Sequence, residues 1–324
     1  MTSEPGAQED NDKPVTFLRA ALQPAVWLRP AAAIRRRGIT PWLQATLAAV
    51  ALLGASCAYG ADTPNFPPTY ISIIIDDLGN SLPAGKQAVR LPGPVACAIL
   101  PHTPYAVDLD EMAHRHGKEV LLHLPMEPVG GLDPGPGALD TAMSRTLLTL
   151  TLDNDLSGLR YVEGVNNHMG SLLTSRPVPM EWIMQALHEH GGLFFVDSRT
   201  IAQTVAARAA GAYRIPNLSR NVFLDDIPTV DAVERQFALL IRIARRRGHA
   251  IAIGHPRPAT LEVLRQWLPR LGFYRIRLVP LATLLALKRS EPLPWQLPGA
   301  RPPPAILAQP KQLPEQDDPS IAWP

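Results

Sequence analysis

"IIIDDLGN", residues 73–80, is the stretch on which the reading of this chain turns. Its three isoleucines make the most β-prone run in the sequence. The run ends in two adjacent carboxylates, Asp76 and Asp77, with Gly79 just beyond. Two like charges at the end of a buried strand repel each other and lose hydration. The question is what else converges on that strand end to compensate them.

Working outward, short apolar runs recur: YISIII (70–75), PVACAIL (94–100), EVLLHL (119–124), EGVNNH (163–168), GLFFVD (192–197), NVFLDD (221–226), HAIAIGH (249–255) and RIRLVP (275–280). Most are continuous rather than alternating, as in strands buried on both faces of a parallel sheet. Between them lie segments with helical punctuation. AVDLDEMAHRHG stops at Gly117, and PMEWIMQALHEHGG begins at Pro179 and stops at Gly191. TVDAVERQFALLIRIARRRG opens on Thr229 as an N-cap and closes at Gly248, and ATLEVLRQWLPRLG closes at Gly272. The alternation predicts an α/β fold, a (β/α) barrel or a distorted relative rather than an open doubly wound sheet.

The unusual polar residues fall at the carboxyl ends of these runs. Asp76 and Asp77 close the first, and His102 follows the second. His123 closes the third, with Glu127 beyond it, and His168 ends the fourth. Asp197 closes the fifth, Asp225 and Asp226 the sixth, and His255 the seventh. A parallel barrel gathers all of these on one face, where active sites are built. Singly, each has a simple explanation: an aspartate after a strand commonly caps the next helix. His114, His116, His188 and His190, near helix ends, are expected to face solvent or cap carbonyls. Collected on one rim, the carboxylates call for a cation. Imidazole with carboxylate suits Zn²⁺, with Co²⁺, Mn²⁺ or Ni²⁺ as alternatives. One aspartate and two histidines leave a position for water. A second aspartate can then take a proton from that water, and a histidine can protonate a leaving amine. A glycosidase using Asp77 and Asp197 needs two acids at a set separation and no imidazole cluster, so the rim histidines count against it.

Five ordered motifs, ISIIIDDLGN, LLHLPMEP, GVNNHMGS, FFVDSRT and IAIGHP, resemble the divergent polysaccharide deacetylases, a remote branch of the NodB-like carbohydrate esterases. The resemblance covers about residues 69–290. It implies a distorted (β/α) barrel of the NodB-like type and a secreted or periplasmic location. It also implies a divalent ion, Zn²⁺ foremost, held by one Asp and two His, with hydrolysis of an acetyl group on an amino-sugar polysaccharide such as a peptidoglycan strand. Carried over, Asp76 is the general base, Asp77 and His123 are metal ligands, and His255 is the general acid. The third-strand motif has one histidine where the main branch has two close together, so His168 is assigned as the second imidazole. His102 is a weaker candidate for either histidine role. Asp197 and Arg199 are expected to orient an imidazole or hold substrate, with Glu127 as a further supporting carboxylate. The competing reading is a catalytically inactive carbohydrate- or partner-binding module on the same fold.

Composition bounds the rest. Proline is 35 of 324 residues, roughly twice the usual ~5%. A Pro-rich tail from 291 to 324 is expected to be disordered. Residues 1–41 are expected to be a disordered, basic N-terminal region, and 61–290 one deacetylase domain. The arginines at 35–37, an apolar core over 42–55 and small residues up to Gly60 describe a signal sequence or membrane anchor over 42–60. Ala58 and Gly60 fit the −3 and −1 positions of a cleavage site, so the chain is expected to be exported, periplasmic, and retained at the inner membrane if uncleaved. Net charge is +2 with only short basic runs, which gives no basic face for nucleic acid. The two cysteines, Cys57 and Cys97, form no metal or disulfide motif, and Cys97 reads as a small buried apolar residue.

Overall fold

Nine parallel strands carry the architecture: β1 (Thr69–Leu78), β2 (Ala96–Ile99), β3 (Val120–Met126), β4 (Val162–Met169), β5 (Phe194–Asp197), β6 (Asn217–Ser219), β7 (Val222–Phe223), β8 (His249–Gly254) and β9 (Ile276–Leu278). The computed structural model describes residues 68–289. The expected leader over 42–60, Cys57, the N-terminal region and the Pro-rich tail lie outside them. Among the described residues, eight α-helices alternate with the strands: α1 (Leu82–Val89), α2 (Ala106–Arg115), α3 (Arg145–Ser157), α4 (Pro177–His190), α5 (Ala206–Ala212), α6 (Val230–Arg247), α7 (Pro258–Trp267) and α8 (Leu281–Arg289). No helix among the described residues is long and apolar enough to cross a membrane.

The strand order is β6-β5-β4-β3-β2-β1-β8-β7, with β9 paired to β1 off this path. β6 and β7 are the two ends of that order, yet they are consecutive in the chain. Residues 217–219 pair with β5 and residues 222–223 with β8, so one kinked stretch joins both edges. The sheet therefore curls into the distorted barrel that the sequence predicts. NVFLDD, read as one strand, yields only Val222–Phe223, and β6 lies upstream of it. At the kink Arg220 N–H still donates to Asp197 O, while Asn221 N–H donates to Ile251 O.

Side-chain parity separates two cores. Ile71, Ile73 and Ile75 of β1 pack outward against the helices, in the same cluster as Leu122, Phe195, Phe237 and Trp267. Cys97 lies in this layer, buried as expected. Tyr70 and Ile74 point the other way and pack with Leu121, Val196, Ile251 and Ile253 inside the barrel. Leu281, Leu284 and Leu285 of α8 join that inner cluster. Gly164 of β4 makes room for Phe194, whose ring a Cβ would meet at 2.5 Å. The next inward positions toward the carboxyl end are Asp76, His123, Asn166 and His255. The apolar plug thus becomes the floor of a polar site.

Candidate metal centre and catalytic site

Strand alternation places Asp76 inward, where it is 3% exposed. The same alternation would send Asp77 outward. Instead β1 breaks register between Ile75 and Leu78, and Asp77 adopts φ +57. That left-handed turn swings the second carboxylate back over the barrel mouth. The question posed by the adjacent aspartates has a geometric answer: a bulge brings both to one site. Gly79 follows with φ +126, and a Cβ there would stand 1.9 Å from Thr103 Oγ1. The β1 turn therefore packs directly on the β2 turn.

Three donor atoms converge. Asp77 Oδ1 is 2.9 Å from His168 Nδ1 and 3.1 Å from His123 Nε2. The two imidazole nitrogens are themselves 3.1 Å apart. His123 is pinned from behind: its Nδ1 lies 2.9 Å from Asn166 Oδ1, and Asn166 Nδ2 donates to Asp76 Oδ1 at 2.8 Å. Because the amide must give its N–H to the carboxylate, its oxygen faces His123. The proton of a neutral imidazole then sits on Nδ1, and the Nε2 lone pair points at Asp77. A lone pair facing a carboxylate oxygen at 3.1 Å is repulsive unless a proton or a metal ion lies between them. These residues fit a divalent metal: three ligands about 3 Å apart suit an ion at roughly 2.0–2.2 Å from each, and all three atoms lie within 4.8 Å of one another.

The protonation behaviour expresses the same demand. Burial disfavours a charged His123, but Asp76 and Asp77 outweigh it and raise its pKa to about 8. Burial also works against ionised Asp77, yet hydrogen bonds from His123 and His168 hold its carboxyl well below the usual range. For Asp76 burial wins: its pKa is raised, despite the opposing charges of His123 and His255 and the Asn166 hydrogen bond. Within one dipeptide, one carboxylate is held ionised and the other is made more basic.

His255 stands across the cluster, with Nε2 3.4 Å from Asp77 Oδ2. Its Nδ1 is 2.9 Å from Asp225 Oδ1, and its backbone N–H donates to Asp225 Oδ2. Thr260 Oγ1 donates to the same Oδ2. Burial opposes charge on His255, but the Asp225 hydrogen bond and the surrounding carboxylates raise its pKa. Arg220 closes this side: its Nε donates to Ser198 O and its Nη2 to Arg199 O. Burial lowers its pKa, and the Asp76 carboxylate is the first of the charges sustaining it. On the other side of the triad, Asp77 and His168 border a cavity of about 210 Å³ walled by Leu100, Pro101, Pro125 and residues 133–136.

Four sequence assignments do not join this cluster. His102 Nε2 pairs with buried Asp155 Oδ1 at 2.7 Å. Asp197 faces away from the barrel interior, accepting from Arg199 N–H and Thr204 Oγ1. It serves the turn into α5, as a single aspartate after a strand commonly does. Arg199, at φ +51, uses its backbone to hold that turn. Glu127 Oε2 accepts from Thr141 N–H and Oγ1 and pins a loop. Among the helix-end histidines, His116 meets the Met112 carbonyl as expected, while His190 pairs with the Asp153 carboxylate and His114 stacks on Tyr161.

Comparison with known proteins fits this arrangement. Residues 73–285 match the family described as divergent polysaccharide deacetylase. The chain belongs to that family. An uncharacterised protein of Haemophilus influenzae is 39% identical over 207 residues, which are 64% of this chain and 74% of that protein. The uncharacterised protein YibQ of Escherichia coli K12 is 39% identical over 196 residues, 60% of this chain and 61% of YibQ. The crystal structure of uncharacterised protein ATU2773 from Agrobacterium tumefaciens C58 superposes with a TM-score of 0.65 at 27% identity, covering 67% of this chain and 89% of that one. For a divergent polysaccharide deacetylase, the residues missed from sequence are Asn166, Arg220 and the role of Asp225. Asn166 had a signal: it shares inward parity with His168, two positions on. Arg220 had none, lying in a stretch with no strand pattern.

Proposed function

We propose that this divergent polysaccharide deacetylase is a metal-dependent hydrolase that removes acetyl groups from an amino-sugar polymer in the cell envelope. The observation that supports this reading is the split between Asp76 and Asp77: one faces two imidazoles as an ionised ligand, the other sits behind it with a raised pKa. Asp77, His123 and His168 would hold the ion. When bound, it would supply Lewis acidity toward an amide carbonyl and toward water. Asp76 takes a proton from the attacking water, its basicity set by burial and its orientation by Asn166. His255, protonated and held by Asp225, gives a proton to the leaving amine. We further propose a periplasmic location, on the order of basic run, apolar core and small residues up to Gly60.

The test uses the full chain, its metal content and acetate release from N-acetylglucosamine oligomers. Asp77→Ala and His123→Ala should lose the metal and all activity. Asp76→Asn should keep the metal and lose at least about a hundredfold in kcat, in line with removal of a general base. A metal-loaded wild type that binds oligomers and releases no acetate would replace this reading with the non-catalytic binding module.

A further inference from the structure

Asp155 is a carboxylate on the apolar face of α3. That helix buries Leu148, Leu152, Asp155 and Leu156, and Asp155 is 0% exposed. Its Oδ1 accepts from His102 Nε2 at 2.7 Å, and the Asn154 amide lies 3.3 Å from the same nitrogen. Its Oδ2 is buried with no hydrogen-bond partner. Burial raises its pKa to about 7, against the hydrogen bond and charge of His102. A carboxyl whose folded pKa exceeds its ordinary 3.8 contributes stability in acid and loses it as pH rises toward 7. Above neutral pH an ionised Asp155 with an orphaned oxygen therefore weighs against the fold, and an apolar side chain would suit the position better. A group retained against stability calls for another use.

Two segments meet on this carboxylate. One is the turn after β2, which contributes His102. Pro101 and Thr103, on either side of that histidine, line the cavity beside Asp77 and His168. The other is the loop after β3. There Gly137 packs so closely that a Cβ would stand 2.3 Å from Asp155 Oδ1, and the preceding Pro136 lines the same cavity. Each segment is fastened at its own root. In the first, Leu100 N–H donates to Leu78 O and Tyr105 N–H to Gly79 O. In the second, Glu127 N–H donates to Leu139 O and Leu139 N–H to Pro125 O. Those bonds fix where each wall starts. Asp155 fixes their spacing, because one oxygen serves both: it accepts from His102 and abuts Gly137.

We infer that Asp155, with His102, is a positioning pair for the proposed hydrolase: it clasps the turn after β2 to the loop after β3 and so sets the width of the cavity that takes substrate. The inference rests on the hydrolase reading, which places substrate beside Asp77 and His168. The clasp lies outside the metal cluster, so its loss should show in substrate affinity rather than in metal content or the chemical step. A purely structural aspartate would behave differently, since its removal would lower stability and activity together.

The experiment uses the full zinc-loaded chain and an N-acetylglucosamine tetramer. It reads Tm above neutral pH, metal content, KM and kcat for acetate release, tetramer Kd, and hydrogen exchange over residues 100–105 and 127–141. Asp155→Leu removes the clasp and the buried charge together. Its Tm should match or exceed that of the wild type, with metal content unchanged. KM and Kd should rise about tenfold with kcat within about threefold, and exchange should quicken in both segments. Asp155→Asn keeps an oxygen for the His102 Nε2–H and should bring KM back to within about threefold of the wild type. If the leucine variant does not fold, His102→Ala combined with Asp155→Asn breaks the clasp without stranding a buried charge, and the same shifts are expected of it. Wild-type KM and Kd in a variant lacking the clasp would overturn the inference. A joint fall in Tm, metal content and kcat would overturn it too, by marking Asp155 as structural. A wild type that binds the tetramer and releases no acetate removes the hydrolase reading alone, and Kd with exchange then decides this inference. A wild type that neither binds nor cleaves the tetramer overturns both.

Discussion

Asp77 holds φ +57, a conformation that costs a non-glycine residue on the order of 1–2 kcal/mol. Left-handed non-glycine residues recur at the mouth of the barrel, at His102, Met169 and Arg199, each at or just after the end of a strand, and tolerated strain tends to accumulate at functional sites. The carboxylate pair was legible in the sequence because two acids after three isoleucines have no packing use. The residues that set their behaviour were less so, since a hydrogen-bond partner is defined by neighbours in space. Asn166 is the sharpest case: it is fully buried and bridges Asp76 to His123. Asn166→Ala strips partners from two buried polar atoms, which should cost about 2–3 kcal/mol of stability. It also frees the His123 tautomer, so metal affinity should fall about 10–100-fold. Chemical denaturation and metal titration read the two effects separately, and wild-type metal affinity in this variant would show that another group orients His123.

At the scale of elements, the turns carry more of the site than the strands do. Gly79→Ala would meet both a steric contact with Thr103 Oγ1 and the strain of φ +126. We expect a loss of about 2–4 kcal/mol with weakened metal binding. Adding Thr103→Ala should recover only part of it, because the φ strain remains and Leu100 O is still 3.3 Å away; full recovery would assign the whole effect to the clash. A second element-level device is Glu119, whose carboxylate accepts N–H groups from Leu281 and Ala282 and so caps α8 under the barrel. Burial pushes Glu119 up to about 7, against those two hydrogen bonds. A carboxyl whose folded pKa exceeds its unfolded value of 4.5 adds stability below pH 4.5 and loses it as pH rises toward 7. The contribution over that window is on the order of 3 kcal/mol. Glu119→Gln should flatten this slope in denaturation midpoints measured from pH 4.5 to 7.5, and an unchanged slope would point to other groups. Strands and the long helix α6 were legible from runs and caps: Thr229 does accept Ala232 N–H, and Gly248 does end the helix left-handed. α1 was not, because Pro83 and Gly85 read as loop, nor was α3, whose leucines Leu147 and Leu150 stay exposed and blur its apolar stripe.

Across the whole molecule, the barrel closes through a single kinked stretch, and the three residues proposed as metal ligands come from β1, β3 and β4 while His255 directly follows β8. No local segment holds the site, so binding of the proposed metal would be coupled to folding. The fold class was legible because parallel buried strands announce themselves, but the shared β6–β7 stretch was not, since five strand residues divided between two partners leave no periodic signature. Coupling makes a global prediction. A ligand at 100 times its Kd stabilises by about 2.7 kcal/mol, and for a domain of this size each kcal/mol moves Tm by about 2–4 °C. Saturating Zn²⁺ should therefore raise Tm by about 5–10 °C in the wild type and leave His123→Ala unmoved. The shift should also depend on pH in a set direction. His123 must be neutral to bind metal, and its pKa lies at about 8, so protons compete below that value. Each unit below pH 8 should weaken binding up to about tenfold through this one group, and at fixed Zn²⁺ the Tm shift should be larger at pH 8 than at pH 6. A shift that stays flat between pH 8 and pH 6 would mean that the ion binds carboxylates alone, and a wild type unmoved by zinc, cobalt and manganese would remove the metal from the account.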